Sequence, residues 1–497
     1  MTEGAGTVWS VIEAAAREHP GRVLFSDDYG RHLTAAQLRE SAEAVAAGMA
    51  LQPGQVVSWQ LPTVLEAPVL LAALARVGAV QNPLITILRE REIGLITRQV
   101  GCSTLVVPEV WRGFPHAEMA RGLGLDVVAL NLNGEAENGH LRLPMGDPAS
   151  LPPPPTSASD VRWIYFSSGT TSDPKGIRHT DASVIASSYG VTDRLGAYPT
   201  DIYPIAWPYA HIGGATMTMA VLRRGGCLVL FESFDPLTTP ERMAAHRPTI
   251  LGSATPFFCA YLDAQRRHGN QPLFPALRAF SAGGAPTPDQ LVVELSRTFG
   301  AKRVLNSWGL TEFPVATGLA ADDPPDKVAA TAGRPSPGVT VRVVDGELRL
   351  KGPQCFDGYV DLGLNAAAFD EQGWLRSGDL GTIDSDGFVT VTGRVKDVVI
   401  RNAENVSALE VENTVLDHPD VVEVAVVGLP DQRTGERVCA VVVARLGAKI
   451  TIDALAAHCR AAGLARYKTP EQIETVSELP RNAMGKVLKD QLVARFR

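Results

Sequence analysis

No Cys-x-x-C pair occurs in the 497-residue sequence; its six cysteines, Cys102, Cys227, Cys259, Cys355, Cys439 and Cys459, are scattered singly. That spacing offers neither a zinc site nor a disulfide framework, and it fits a reducing cytoplasm. Long apolar runs are missing too. The most apolar stretch, Val56 to Val80, is interrupted by Pro62, Glu66, Pro68 and Arg76, and the opening MTEGAGTVWSVIEAAAREHP lacks the basic region and apolar run of a secretory signal. No membrane span or anchor is expected. Lysines and arginines never cluster with interleaved aromatics, and the net charge is −8, so a nucleic-acid groove is not expected and small-molecule substrates are.

What is present is ordinary globular composition, 45% hydrophobic and 20% charged with 46 Gly and 35 Pro, in a chain long enough for at least two domains. Short β-rich runs alternate with helical stretches, as in QVVSWQLP before EAPVLLAALARVG and CSTLVVP before HAEMARGLG. This is the pattern of a parallel sheet covered by helices. A stiff LPPPP segment at Leu151 to Pro155 leads into a strand, Val161 to Phe166. From about Val341 the runs are shorter and β-rich. The last hundred residues change again, to a helix at Ala408 to Leu416, the β pair VVEVAVVGLP and ERVCAVVVARL, and a helix at Ile452 to Ala462. The expected fold is therefore α/β: a large N-terminal domain of packed sheets and helices with a β-rich part, residues 1–395, and a small α+β C-terminal domain, residues 396–497.

The stretch SSGTTSDPKG, Ser167 to Gly176, follows the expected strand. Glycines let backbone N–H groups approach an anion and hydroxyls add donors, so the loop suits phosphate. The usual nucleotide loop places Gly-Lys-Ser/Thr in that order at a helix start, whereas Lys175 here precedes Gly176. Any phosphate would thus sit in a different architecture. An ordinary polar turn between two strands would use the same residue types.

Eight separated stretches settle which family the chain resembles. YFSSGTTSDPKG, WPYAHIGG, FSAGGAP, SWGLTE, GELRLKGP, GWLRSGDLG, GRVKDVVI and LPRNAMGK resemble, in order and spacing, the core motifs of the adenylate-forming superfamily of acyl-CoA synthetases, adenylation domains and luciferases. The early stretch from Val56 to Glu92 is similar to bacterial ligases for alicyclic and related cyclic acids. The resemblance implies ATP and Mg²⁺, a carboxylic acid attacking the α-phosphate to give acyl-AMP and pyrophosphate, and a thiol such as CoA displacing AMP. It also implies a C-terminal domain that rotates between the two steps about a hinge at Lys396.

Roles follow residue by residue from the resemblance. Ser167, Ser168, Gly169, Thr170, Thr171, Lys175 and Gly176 would grip the β- and γ-phosphates. Thr311 would meet the α-phosphate and Glu312 the Mg²⁺, a hard ion suited to carboxylate oxygen; at a helix start the same pair would be a cap. Trp308 would lie against adenine or be a core residue. Asp379 would accept from the ribose hydroxyls or be a turn aspartate. Arg394 would contact ribose or phosphate. Lys486 would bridge carboxylate and α-phosphate during adenylation, reducing repulsion between two anions, although a basic tail is ordinarily solvated surface.

The acid pocket would involve His211, Ile212, Gly213, Gly283 and Gly284. His211 would gate thiol entry or be structural. Small residues, Gly214 included, would leave volume for a bulky apolar acid beside Trp207 and Tyr209. Ile212 stands where amino-acid-activating relatives carry an aspartate, so no α-amine is expected. Ser172 replaces a third loop glycine, and Asn402 with Ala403 replaces a glycine pair near the pantetheine tunnel, leaving a carrier-protein thiol as the alternative to CoA. A binding module without chemistry would tolerate losing Lys486 or Glu312. Both are present.

Overall fold

Parallel pairing of strands Val56–Trp59, Val80–Pro83, Thr104–Pro108 and Asp126–Leu130 builds one side of a seven-stranded sheet. Val161–Ser167 joins it in parallel beside Val80–Pro83, and Lys175–Thr180 and Gly358–Tyr359 then add antiparallel at the edge. The structure, a computed structural model, describes residues 6–132, 141–167, 174–283, 287–300, 302–402, 404–482 and 486–497.

The helix Glu66–Val77 shows why this sheet is covered. EAPVLLAALARV is apolar nearly all round, so every one of its residues is buried, and Gly78 ends it with φ +71°, a conformation that glycine adopts without Cβ strain. Glu66 at its start is fully buried and accepts from Arg31 and Arg142 at 3.2 and 3.3 Å, as a buried carboxylate requires. Arg76 near its end donates to the Pro152 carbonyl at 2.8 Å and so fastens the proline-rich segment over the helix.

A second sheet orders Ile250–Ser253, Ala279–Ala282, Arg303–Leu310, Phe313–Gly318 and Arg334–Pro335, and a third pairs Val23–Asp27 and His32–Thr34 with Ile202–Ile205 and Cys227–Leu230. The β-rich part is an antiparallel sheet of Thr340–Val344, Glu347–Lys351, Leu375–Ile383 and Val389–Arg394. A single 3-10 turn, Val395–Asp397, separates its last strand from Val398–Arg401, the first strand of a different sheet.

That last sheet is buried on both faces. Along Val421–Asp431 and Gly435–Ala444, Val426, Val438, Ala440 and Val442 face helices Ala408–Leu416 and Ile452–Ala461, while Ala425, Val427, Leu429, Cys439 and Val441 face helix Lys489–Phe496. Period-two alternation puts apolar residues on both sides. Each fully buried Val or Leu contributes roughly 1.5–3 kcal/mol. The architecture is thus α/β with a large N-terminal and a small C-terminal domain. The second helix stops one residue short of the expected Ala462, which caps it. All six cysteines are free, and no helix among the described residues is long and apolar enough to cross a membrane.

Candidate active site

Ser167 and Lys175 face each other as cross-strand partners at the mouth of the Val161–Ser167/Lys175–Thr180 hairpin. Ser168, Gly169, Thr170, Thr171 and Ser172 lie outside the described residues. Lys175 Nζ sits 5.8 Å above the ring of Tyr359. Gly176 is buried where a Cβ would come within 2.6 Å of Val360 and 3.0 Å of Phe166, so close packing of the edge strand Gly358–Tyr359 requires glycine there.

Thr311 and Glu312 do not start a helix. They form the two-residue turn between strands Arg303–Leu310 and Phe313–Gly318, with Leu310 opposite Phe313. Three contacts fix this turn. Buried His179 lies 2.8 Å by Nε2 from the Thr311 carbonyl and 2.9 Å by Nδ1 from Ser183 Oγ. Burial pushes the His179 ring down to about 4, so at neutral pH it is uncharged, with Nε2–H donating to the carbonyl. The Phe356 N–H donates to the Glu312 carbonyl at 2.9 Å, and Tyr359 Oη donates to Glu312 Oε1 at 2.8 Å. Burial and the neighbouring Glu312 charge raise the phenol well above its ordinary range, which keeps it a donor. Glu312 retains Oε2, a hard oxygen of the kind Mg²⁺ takes. Among the described residues no group of three or more His, Cys, Asp or Glu is arranged to hold a metal ion.

Trp308 lies on the same strand, three residues before Thr311. Its Nε1–H donates to Asp379 Oδ2 at 2.8 Å, and Arg394 Nε reaches Asp379 Oδ1 at 3.0 Å. Asp379 and Arg394 are cross-strand partners, and Gly378, at φ +71°, lies where the register of strand Leu375–Ile383 shifts against Glu347–Lys351, just before Asp379.

Lys486 is brought into the same region. Its neighbour Val487 bridges to Arg481, and Asn482 Oδ1 accepts the Lys486 N–H at 2.9 Å. Burial, then the charges of Arg394 and Lys396, lower its amine to about 8, with Asp379 and Asp397 acting in the opposite sense. Lys486 therefore feels Arg394 and Asp379 before residue 396 as well as Lys396 and Asp397. Lys396 itself is exposed in the 3-10 turn between the two sheets.

The acid-side residues gather around the start of helix Ile212–Arg224. His211 caps it, its Nδ1 accepting from the Gly213 N–H at 3.2 Å, and burial lowers the ring to about 4. Ile212, Trp207 and Tyr209 are buried. At Gly214 and Gly283 the space a side chain would take is already occupied. A Cβ at Gly214 would stand 1.9 Å from the Tyr209 carbonyl oxygen and one at Gly283 would stand 2.8 Å from Ser307 Oγ; that space is taken by the protein's own atoms. At Gly213 a Cβ would make ordinary contact at 3.4 Å with the Trp207 ring. Gly284 lies outside the described residues, as does Ala403. Asn402, exposed just after strand Val398–Arg401, has φ +51°, a left-handed position that glycine usually takes and asparagine tolerates.

Sequence reasoning missed His179 and Tyr359. Each is a single residue outside the quoted motif cores, and its role depends on pairing between segments far apart in the chain. The alternation around Ile177–Arg178–His179, which turns His179 inward with Ile177, was the only available signal.

Fold and site together define an enzyme of the adenylate-forming class. The chain belongs to the AMP-binding enzyme family: residues 12–360 match the AMP-binding enzyme model, and residues 410–486 match the AMP-binding enzyme C-terminal domain. It is 30% identical to the medium-chain fatty-acid–CoA ligase of Escherichia coli (strain K12), over 96% of this chain and 88% of that protein. It is 31% identical to the sulfoacetate–CoA ligase of Cupriavidus necator, over 98% and 97%. The crystal structure of ATP-bound MatB from Rhodopseudomonas palustris superposes with a TM-score of 0.86 at 28% identity, covering 98% of this chain and 99% of that one.

Proposed function

We propose that this chain is an ATP-dependent acid:CoA ligase. It joins an apolar carboxylic acid to the α-phosphate, releasing pyrophosphate, and then transfers the acyl group from acyl-AMP to the CoA thiol. The observation that carries this reading is the Asp379–Arg394 pair held by Trp308 on the strand that leads into the Thr311–Glu312 turn, with Lys486 within electrostatic reach of both.

In this reading Lys175 and the Ser167 loop hold the β- and γ-phosphates, and Thr311 donates to the α-phosphate. The Lys486 ammonium sits between the incoming carboxylate and the α-phosphate, where it reduces repulsion between two anions and lines them up. Mg²⁺ bound at Glu312 would neutralise phosphate charge. His179 and Tyr359 hold the turn that presents both Thr311 and Glu312. Residues 1–395 act as the nucleotide- and acid-binding domain, and residues 396–497 rotate about Lys396 to admit the thiol.

The acid is assigned from Ile212 and the Trp207 ring, not from the glycines. A buried isoleucine gives an α-ammonium group no counter-charge, and burying that cation unpaired costs several kcal/mol. The two relatives, equally similar overall, are named for very different acids, so overall identity does not choose between them. Asn402, a wider side chain where the resembling CoA ligases carry a glycine near the pantetheine tunnel, favours a second reading, an acyl-AMP ligase that loads a carrier-protein thiol. Pyrophosphate release from a panel of acids, with and without CoA, tests both. An acid-dependent signal accelerated by CoA, with 3-phenylpropanoate used and phenylalanine rejected, is expected; equal use of those two overturns the pocket assignment, and acyl-AMP that CoA never consumes favours the carrier.

A further inference from the structure

We propose that Trp308 is a positioning residue for the nucleotide sugar: its indole N–H fixes one oxygen of Asp379, so that the other is the oxygen offered to the ribose hydroxyls. This rests on the reading of Asp379 as the ribose carboxylate.

A carboxylate turns easily about its last side-chain torsion, which has broad minima and not sharp rotamers. Presented to a pair of hydroxyls, it aligns only if something holds the other oxygen. Trp308 Nε1–H does so at 2.8 Å on Oδ2, while Arg394 Nε lies 3.0 Å from Oδ1. The two partners differ in kind. The indole has one neutral donor and no acceptor, and its ring packs on the apolar cluster of Ile177, Phe313, Leu350, Phe356 and Leu375, so the donor cannot leave without moving the ring. Arg394 has a long side chain that is 37% exposed and can withdraw into water, whereas the Asp379 side chain is only 5% exposed. Oδ2 is thus the fixed oxygen and Oδ1 the exchangeable one.

The same strand links sugar to phosphate. Trp308 is three residues from Thr311, at the end of Arg303–Leu310. Holding Asp379 from this strand sets the ribose relative to the hydroxyl that meets the α-phosphate. Stacking on adenine needs only an aromatic face, which phenylalanine also has; reading the sugar through Asp379 needs the N–H.

Calorimetric binding of ATP, 2′-deoxy-ATP and 3′-deoxy-ATP to the full chain, without turnover, separates these two uses of the ring. Wild type is expected to bind ATP at least ~10-fold tighter than one deoxy analogue, the scale of a hydrogen bond to a charged acceptor. In Trp308→Phe that ratio should fall to within about threefold, through weaker ATP binding with the analogue nearly unchanged. A ratio kept at the wild-type value, even with all three nucleotides weakened, overturns the proposal and leaves only stacking. Should Trp308→Phe fail to fold, the tryptophan isostere with sulfur in place of N–H, inserted at 308, preserves shape and decides on the same ratio. Wild type binding ATP without discriminating the analogues removes Asp379 from the sugar, and the proposal with it; wild type binding no ATP would instead strike the functional reading itself.

Discussion

Tyr359 donates its phenolic hydrogen to Glu312 Oε1 across 2.8 Å, and the same ring lies 5.8 Å beneath Lys175 Nζ. One side chain therefore joins the lysine at the mouth of the Val161–Ser167/Lys175–Thr180 hairpin to the carboxylate of the Thr311–Glu312 turn. It is held there because Gly358–Tyr359 pairs as an edge strand with Lys175–Thr180. Tyr359→Phe keeps the ring and loses the hydrogen bond. The expected outcome is an about tenfold rise in the Mg²⁺ concentration giving half-maximal pyrophosphate release, with little change in KM for the acid. An unchanged Mg²⁺ requirement would separate the Tyr359 hydrogen bond from the proposed metal role of Glu312.

The proposed role of Lys486 in adenylation predicts an alkaline limit to that step. Its amine, lowered to about 8 chiefly by burial, is charged below that pH and neutral above it. Only the charged form can bridge two anions. The kcat/KM of acyl-AMP formation, which reports the free enzyme, should therefore decline as pH rises through about 8. Lys486→Arg, which stays charged, should lose that limb whatever its absolute rate.

Gly190, inside helix Asp181–Asp193, has no room for a methyl group: a Cβ would lie 2.3 Å from Val315 Cγ1 and 2.6 Å from Ser336 Oγ. Alanine ordinarily stabilises a helix interior relative to glycine by roughly 1 kcal/mol. Here the clash should dominate, and Gly190→Ala should destabilise the chain by about 1–3 kcal/mol in a urea melt. A gain in stability would show that the strand carrying Val315 relaxes freely.

His179 makes stability depend on pH in a defined window. Above the ring's ordinary value of 6.5 it is neutral in both folded and unfolded chains. As pH falls below 6.5 the unfolded chain takes up the proton while the buried ring resists until about 4, so stability should drop across that interval. His179→Gln can still donate to the Thr311 carbonyl and does not titrate. Its urea midpoint should fall less steeply between pH 6.5 and 4 than that of wild type.

Much of this was legible in the sequence, for physical reasons. The apolar helix Glu66–Val77 and the alternating valines of Val421–Asp431 declare their periods, and the motifs marked Asp379, Trp308 and Glu312 as candidates. What could not be read was the pairing between distant segments. Thr311 and Glu312 suit a helix cap as well as a hairpin turn, and only the strand register distinguishes them. Gly214 and Gly283 looked like pocket volume because a glycine records a missing side chain without recording what fills the space; here a carbonyl and a hydroxyl do. His179 and Tyr359 were invisible because their partners lie 132 and 47 residues away.

The most direct test of the central claim follows both half-reactions in Lys486→Ala. Acyl-AMP formation from acid and ATP is measured by pyrophosphate release, and thioester formation by supplying acyl-AMP and CoA. With Lys486 acting only in adenylation, the first should fall by ~10²-fold or more, the scale for removing one preorganised charge contact, while the second persists near the wild-type rate. Equal loss of both steps, or ATP cleaved to ADP and phosphate by the wild-type chain, would contradict the account.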